Sequence, residues 1–280
     1  MKTMFARSPY TRRQFLGLAA ATGAGALLPD PGAADVRRTL DLDDPDDALT
    51  AMIKMRGSLI AEDVPHWYYG TIYAVLPGQG PRPLVDFEGS EIDYYERQPD
   101  GSYHAYSATV SFFRDRDTGK RIEVFTNPFN GERREVVGNT INVKAYYIYS
   151  KYGFKRSDDE RPLPDEPQIQ RLLEWRDSGE HVWLTMRRAY PPGQPRGEHQ
   201  LVRGLLSELH DPDLPKVYTT ATPTYISPYL PWMAMGDLGG HAMWVGPARK
   251  LDSVEQYPRE LLDFVERNYP DKLTARPSTP

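Results

Sequence analysis

From Trp67 onward the chain runs in short stretches dominated by β-branched and aromatic residues, broken at close intervals by Gly, Pro, Asn and Asp. Such stretches predict strands over 67–76, 83–87, 91–98, 103–114, 121–127, 132–137 and 142–150. Pro99-Asp100-Gly101, Asp117-Thr118-Gly119 and Phe129-Asn130-Gly131 each place a residue tolerant of positive φ between two runs, as tight hairpins require. Consecutive hairpins make an antiparallel meander, and seven strands must hide their edges by closing into a barrel or a curled half-barrel. After a polar, Pro-rich segment, 157–167, the spacing of Ile169, Leu172, Leu173 and Arg176 predicts a helix, with Pro167 near its first turn and Gly179 beyond its end. Strands then resume over 181–190, 200–206 and 217–226 and as a pair around Trp232 and Trp244. Helical spacing flanks the sheet. Leu49, Met52 and Ile53 follow the capping residues Asp46 and Asp47 and end at Gly57, while Leu261, Leu262, Val265 and Tyr269 follow Pro258. The fold class expected is α+β, β-rich, with a few peripheral helices and one domain over 35–280. A split near residue 157 is disfavoured because the second half alone carries few clear strands.

The first residues change where such a domain works. Ser8-Pro9-Tyr10-Thr11-Arg12-Arg13-Gln14-Phe15-Leu16-Gly17 pairs Arg12 and Arg13 with Phe15 and Leu16 ahead of an apolar run to Leu28, the pattern of a twin-arginine export signal. That run is shorter than a bilayer core of about 30 Å demands. Cleavage after Ala34 is expected, with the twin-arginine translocase as a partner, a periplasmic or secreted location and no membrane span in the mature chain. Removing four basic residues and one acidic residue with the signal takes the net charge from −5 to −8, which disfavours nucleic acid as a partner. The chain contains no cysteine, which excludes thiolate nucleophiles, iron–sulfur clusters and thiolate metal sites and suits a protein folded in a reducing compartment before export.

Candidate chemistry comes from strand alternation. His66 and Tyr68 share one face and Trp67 and Tyr69 the other, so an imidazole and a phenol inside an apolar barrel would supply a proton acceptor and a donor. Asp86 and Glu88 also share a face, and an inward Glu88 would have a raised pKa and could act as a base. Both pairs could equally be strand-edge or solvated groups. Asn127, Asn139 and Asn142 fall at strand ends, where an amide can orient a ligand or simply serve a turn. Pro231 to Trp244 resembles a hairpin turning at 237–240, so that Met233, Met235, His241 and Met243 could converge as soft copper(I) ligands; packing of adaptable Met in a core is the alternative. The acidic residues from Asp41 to Asp47 lack the Gly and terminal Glu of a calcium loop and are assigned to helix capping. There is no G-x-S-x-G elbow, P-loop, strand-linked G-x-G-x-x-G or H-E-x-x-H.

Arg56-Gly57-Ser58, Trp67…Gly70-x-Ile72-Tyr73-Ala74, Pro83-Leu84…Glu88-Gly89, Asp117-x-Gly119…Asn127-Pro128…Gly131 and Pro231-Trp232-Met233-x-Met235-Gly236 together resemble the bacterial domain-of-unknown-function family DUF1838. The resemblance implies a single β-rich domain and export, and no activity. The residues themselves point to a small apolar or phenolic molecule held in a Tyr- and Trp-lined interior. Acid–base chemistry by a lyase, isomerase or hydrolase without an organic cofactor would fall to His66, Tyr68 and Glu88, with Trp67, Asn127, Asn142, Trp232 and His241 around the ligand. A non-catalytic, lipocalin-like binding protein is the opposing class, and a copper-handling protein a third. A charged or titratable group inside the cavity would favour catalysis over carriage.

Overall fold

The computed structural model describes residues 39–137, 142–189 and 196–277, the side chains of 142–145, 188 and 189 excepted. In chain order these residues form α1 (Pro45–Arg56), β1 (Asp63–Val75), β2 (Arg82–Arg97), β3 (Tyr103–Arg114), β4 (Val124–Thr126), β5 (Arg133–Glu135), β6 (Asn142–Ser150) and β7 (Gly153–Arg156). There follow α2 (Ile169–Leu172), β8 (Leu173–Ser178), β9 (His181–Ala189), β10 (Gly197–Leu205), α3 (Leu206–His210), β11 (Thr220–Ser227), β12 (His241–Val245), β13 (Ala248–Lys250) and α4 (Arg259–Asn268). The large sheet is antiparallel in the order β7-β6-β3-β2-β1-β12-β11-β10-β9-β8, and β13 resumes the position of β12 between β1 and β11 after Gly246-Pro247.

The sheet is curled around α1. Met52, Ile53 and Met55 of this helix share one core with Tyr95, Tyr103 and Tyr149 from one wing of the sheet and Val182, Leu184 and Val202 from the other. One helix touches both wings only if the sheet bends round it. Among the described residues β7 and β8 do not pair with each other, so the expected closure is a curled half-barrel. The helix starts where Asp44 accepts from the backbone N–H groups of Asp46 and Asp47, both at 3.0 Å, with Pro45 in its first turn. It stops at Gly57, where a Cβ would come within 2.2 Å of the Tyr95 ring.

Two buried ammonium groups hold helix ends, one from the sheet and one from α1. Lys250 Nζ donates to the carbonyls of Lys54 at 2.9 Å and Gly57 at 2.8 Å, closing the C-terminal end of α1. Lys54 Nζ in turn donates to the carbonyls of Glu208, Leu209 and Asp211 at 3.0, 2.9 and 2.7 Å around the end of α3. The convex face is covered too. Leu261, Leu262, Phe264 and Val265 of α4 pack on Val110 and Phe112 of β3, with Trp67 beside them. Burial on both faces shows in the C-terminal half of β3, where Val110, Ser111, Phe112 and Phe113 are buried in succession rather than alternately.

Several expected elements differ. The runs 83–87 and 91–98 form one strand, because Gly89 between them does not break the chain but makes room for Tyr68; a Cβ there would lie 2.5 Å from the phenol. The runs 121–127 and 132–137 contribute only β4 and β5, which form a separate two-stranded sheet. The helix at Ile169 ends after one turn, since Leu173 is buried and begins β8, paired with Met186 of β9. Trp232 is not in a strand: Pro231–Met233 and Gly236–Leu238 are 3-10 turns joined through Ala234 at φ 50°, which only a tight turn requires. No helix among the described residues is long and apolar enough to cross a membrane. Arg12, Arg13, Phe15 and Leu16 lie outside the described residues.

The Lys54 contacts predict a stability effect. Lys54→Met removes the donor and leaves three carbonyls at the end of α3 without it, which should cost about 1–3 kcal/mol and lower Tm by roughly 2–12 °C. A scanning calorimetry trace superimposable on that of the wild type would contradict this role.

Candidate functional site

Between the end of α1 and the concave face of the sheet lies a cavity of about 450 Å³. Its wall is built by register. His66 of β1, Glu91 of β2 and Thr109 of β3 stand in one cross-strand row, and Tyr68, Gly89 and Ser111 in the next. Phe87 begins a third row, and Trp244 meets it edge-on with ring centres 5.3 Å apart. Leu230, Val202, Ala221 and Ala248 complete an apolar surface opposite. Trp244 is held by a 3.0 Å bond from its indole N–H to Ser227 Oγ.

A polar cluster closes the inner end. Arg56, the last residue of α1, lies 3.9 Å from Glu91 Oε1 and 3.8 Å from Asp93 Oδ2, and donates to Gln200 Oε1. Gln200 donates to Tyr225 Oη at 3.2 Å and also to Glu198. Behind the His66 ring, Nε2 lies 4.0 Å from Asp93 Oδ2, and both atoms are buried without a hydrogen-bond partner. Burial, reinforced by the Lys250 and Arg56 charges, holds the His66 pKa well below its usual value. Burial and the neighbouring Glu91 push that of Asp93 well up, against the pull of Arg56. Desolvation also lowers the Lys250 ammonium well below its usual range and raises the Tyr68 phenol. Near neutral pH the cluster therefore presents a neutral imidazole and a phenol that keeps its proton, a pairing of proton acceptor and donor.

Of the residues expected at the site, His66 and Tyr68 line the cavity together. Glu88 and Trp67 do not. Both alternate to the convex face, where Glu88 accepts from Trp67 Nε1 and Arg114 Nε, each at 2.8 Å, and Arg114 bonds Glu260 of α4 at 2.9 Å. Asp86 is on that face also, accepting from Thr71 Oγ1 at 2.7 Å. Asn127 is fully buried and committed to structure, its amide donating to the carbonyls of Met233 and Ala234 at 2.8 and 3.0 Å and its oxygen accepting from Phe129 N–H at 2.7 Å. Trp232 packs against Phe113 and Phe125, away from the cavity lining.

The copper constellation is not assembled. Met233 and Met235 sit in the core with Ala242 and Trp244, whereas His241 and Met243 alternate to the other face of β12, and Met235 Sδ already accepts from Asn127. Asn142 pairs through its backbone with Thr109, its side chain lying outside the described residues, as does all of Asn139. Sequence reasoning missed Arg56, Glu91, Asp93, Gln200, Tyr225 and Lys250. Parity along β2 was the available signal, since Glu91 and Asp93 share a face with Phe87 and Glu88 does not; the register that sets this face against His66 is not written in either strand.

Fold and cavity define a curled antiparallel sheet with a helix seated in its concave face and a mainly apolar chamber with a polar inner end beneath the helix end. The model of the family described as "Protein of unknown function (DUF1838)" matches residues 61–171 and 199–279, and the chain belongs to that family. No curated protein matches it. Among solved structures, that of Rv2717c from M. tuberculosis is similar at 10% identity over 68% of this chain and 92% of that chain, with a TM-score of 0.24. MucA/MucB of Pseudomonas aeruginosa is similar at 10% identity over 85% and 100%, with a TM-score of 0.12.

His66 sets a pH dependence whose sign follows from its lowered pKa. Below pH about 6.5 the unfolded chain binds a proton that folded His66 refuses, so stability falls as the pH drops, by up to about 1.4 kcal/mol per pH unit. Asp93, with its raised pKa, acts in the opposite direction in the wild type and in His66→Gln alike. In urea unfolding at pH 7.5 and 5.0 the wild type should therefore lose more stability than His66→Gln. Equal losses would show that the imidazole is not held neutral.

Proposed function

We propose that the protein is an exported enzyme that encloses a small apolar or phenolic molecule in the 450 Å³ cavity and moves a proton on it, as a lyase, isomerase or hydrolase that needs no organic cofactor. The observation that carries this reading is His66, a buried imidazole in the cavity wall with Asp93 behind it and no hydrogen bond to satisfy Nε2. A purely carrying site has no use for a group so costly to bury. The apolar body of the molecule lies against Phe87, Trp244 and Leu230, and its reacting end faces His66 and Tyr68. His66 accepts a proton there and Tyr68 donates a hydrogen bond to the oxygen that gains charge. Export through the twin-arginine translocase to the periplasm rests on Arg12, Arg13, Phe15 and Leu16 and on the signal sequence of residues 1–34. The second reading, a lipocalin-like carrier, is favoured by the apolar stretch between Phe87 and Trp244 and uses the same cavity.

Incubating the wild type and His66→Gln with an extract of apolar and phenolic metabolites in deuterated water separates the two. The enzyme reading expects at least one species to change mass or take up deuterium with the wild type, about 10²–10⁴-fold more slowly with the variant. A ligand that is retained by both proteins and altered by neither would establish the carrier instead.

A further inference from the structure

On the other side of the Arg56–Gln200 contact lies a second chamber of about 260 Å³. Arg56, Glu91, Thr109, Gln200 and Tyr225 line both spaces, so the two chambers adjoin. The other walls of the second are of a different kind. Ser107, Tyr147, Tyr149, Arg187 and Glu198 surround it, with Met186 and Phe154 as the apolar exceptions. The first chamber is walled mainly by carbon and the second mainly by groups that donate and accept hydrogen bonds.

We infer that the molecule taken up is an amphiphile with an apolar tail in the first chamber and a neutral, hydroxylated head in the second, such as an alkyl or aryl glycoside or polyol. The inference rests on reading the larger cavity as the substrate site. Charge decides the nature of the head. Arg56 and Arg187 are matched in the chamber wall by Glu91 and Glu198, and Arg56 already faces Glu91, Asp93 and Gln200 while Arg187 bonds Glu174 at 3.2 Å. An anionic head would meet two carboxylates and a cationic head two guanidinium groups, each losing its hydration for no net attraction. A wholly apolar guest would strip water from Ser107 and Thr109 and return no hydrogen bonds, at about 1–3 kcal/mol for each group left unsatisfied. Hydroxyl groups both donate and accept, and so match a wall made of hydroxyl, amide, guanidinium and carboxylate groups together. Two spaces of 450 and 260 Å³ sum to the size range of ordinary small-molecule sites, about 300–1,000 Å³.

The test is a comparison of n-octyl β-D-glucoside, 1-octanol and octanoate, each below its micellar concentration, titrated calorimetrically into the wild-type protein and into Met186→Trp, whose indole narrows the second chamber. The glucoside should bind at least tenfold more tightly than either single-headed probe, and Met186→Trp should erase that advantage while leaving the 1-octanol affinity within about twofold. Should the variant fail to fold, the ranking on the wild type decides. Octanol equal to the glucoside, or octanoate tighter than both, would overturn the hydroxylated-head assignment and leave the larger cavity as the substrate site. Failure of all three probes to bind would overturn the cavity itself as a small-molecule site.

Discussion

Everything about the interior depends on how the C-terminal end of α1 is held inside the curl of the sheet. Helix ends leave carbonyls unpaired, and here those of Lys54 and Gly57 are taken by the buried Lys250 ammonium from β13. That anchor places Arg56 across the concave space, where its guanidinium faces Glu91 and Asp93 of β2 and bonds Gln200 of β10. One side chain thereby ties the helix to both wings of the sheet and divides the space they enclose. The apolar contacts of Met52, Ile53 and Met55 supply the burial that keeps the helix seated.

The two faces of β1, β2 and β3 do different work, and strand parity keeps them apart. On the convex side Trp67, Glu88 and Arg114 form a bonded set that extends to Glu260 of α4. On the concave side His66, Tyr68, Glu91 and Asp93 bring titratable groups to the cavity, and burial lowers the pKa of His66 while it raises those of Tyr68 and Asp93. Gly89 lets both arrangements exist at once, because the absence of a side chain there admits the Tyr68 ring without bending β2 away.

Strand alternation and turn chemistry made most of the sheet legible. Tyr103–Arg114 and Asn142–Ser150 have the bounds their sequence predicts, and Gly101, Gly119 and Gly131 take the positive φ their hairpins require. Where sequence misled, a tertiary contact outweighed a local signal: Gly89 looks like a break until Tyr68 is placed over it, and the apolar spacing around Ile169 looks helical until Leu173 pairs with Met186. The site was half legible. His66 and Tyr68 share a face by parity alone, but choosing Glu91 over Glu88 needs the register between β1 and β2. Lys250 and Gln200 come from strands so distant in sequence that only the curl of the sheet brings them to Arg56.

A crystal of the protein soaked in 8-bromo-1-octanol tests the central claim most directly, because anomalous scattering locates the bromine without assumptions about the rest of the molecule. The account predicts a bromine against the Phe87 and Trp244 rings with the hydroxyl directed toward Arg56, Gln200 and Tyr225. A bromine found only on the convex face, or a concave space filled by rearranged side chains, would contradict it.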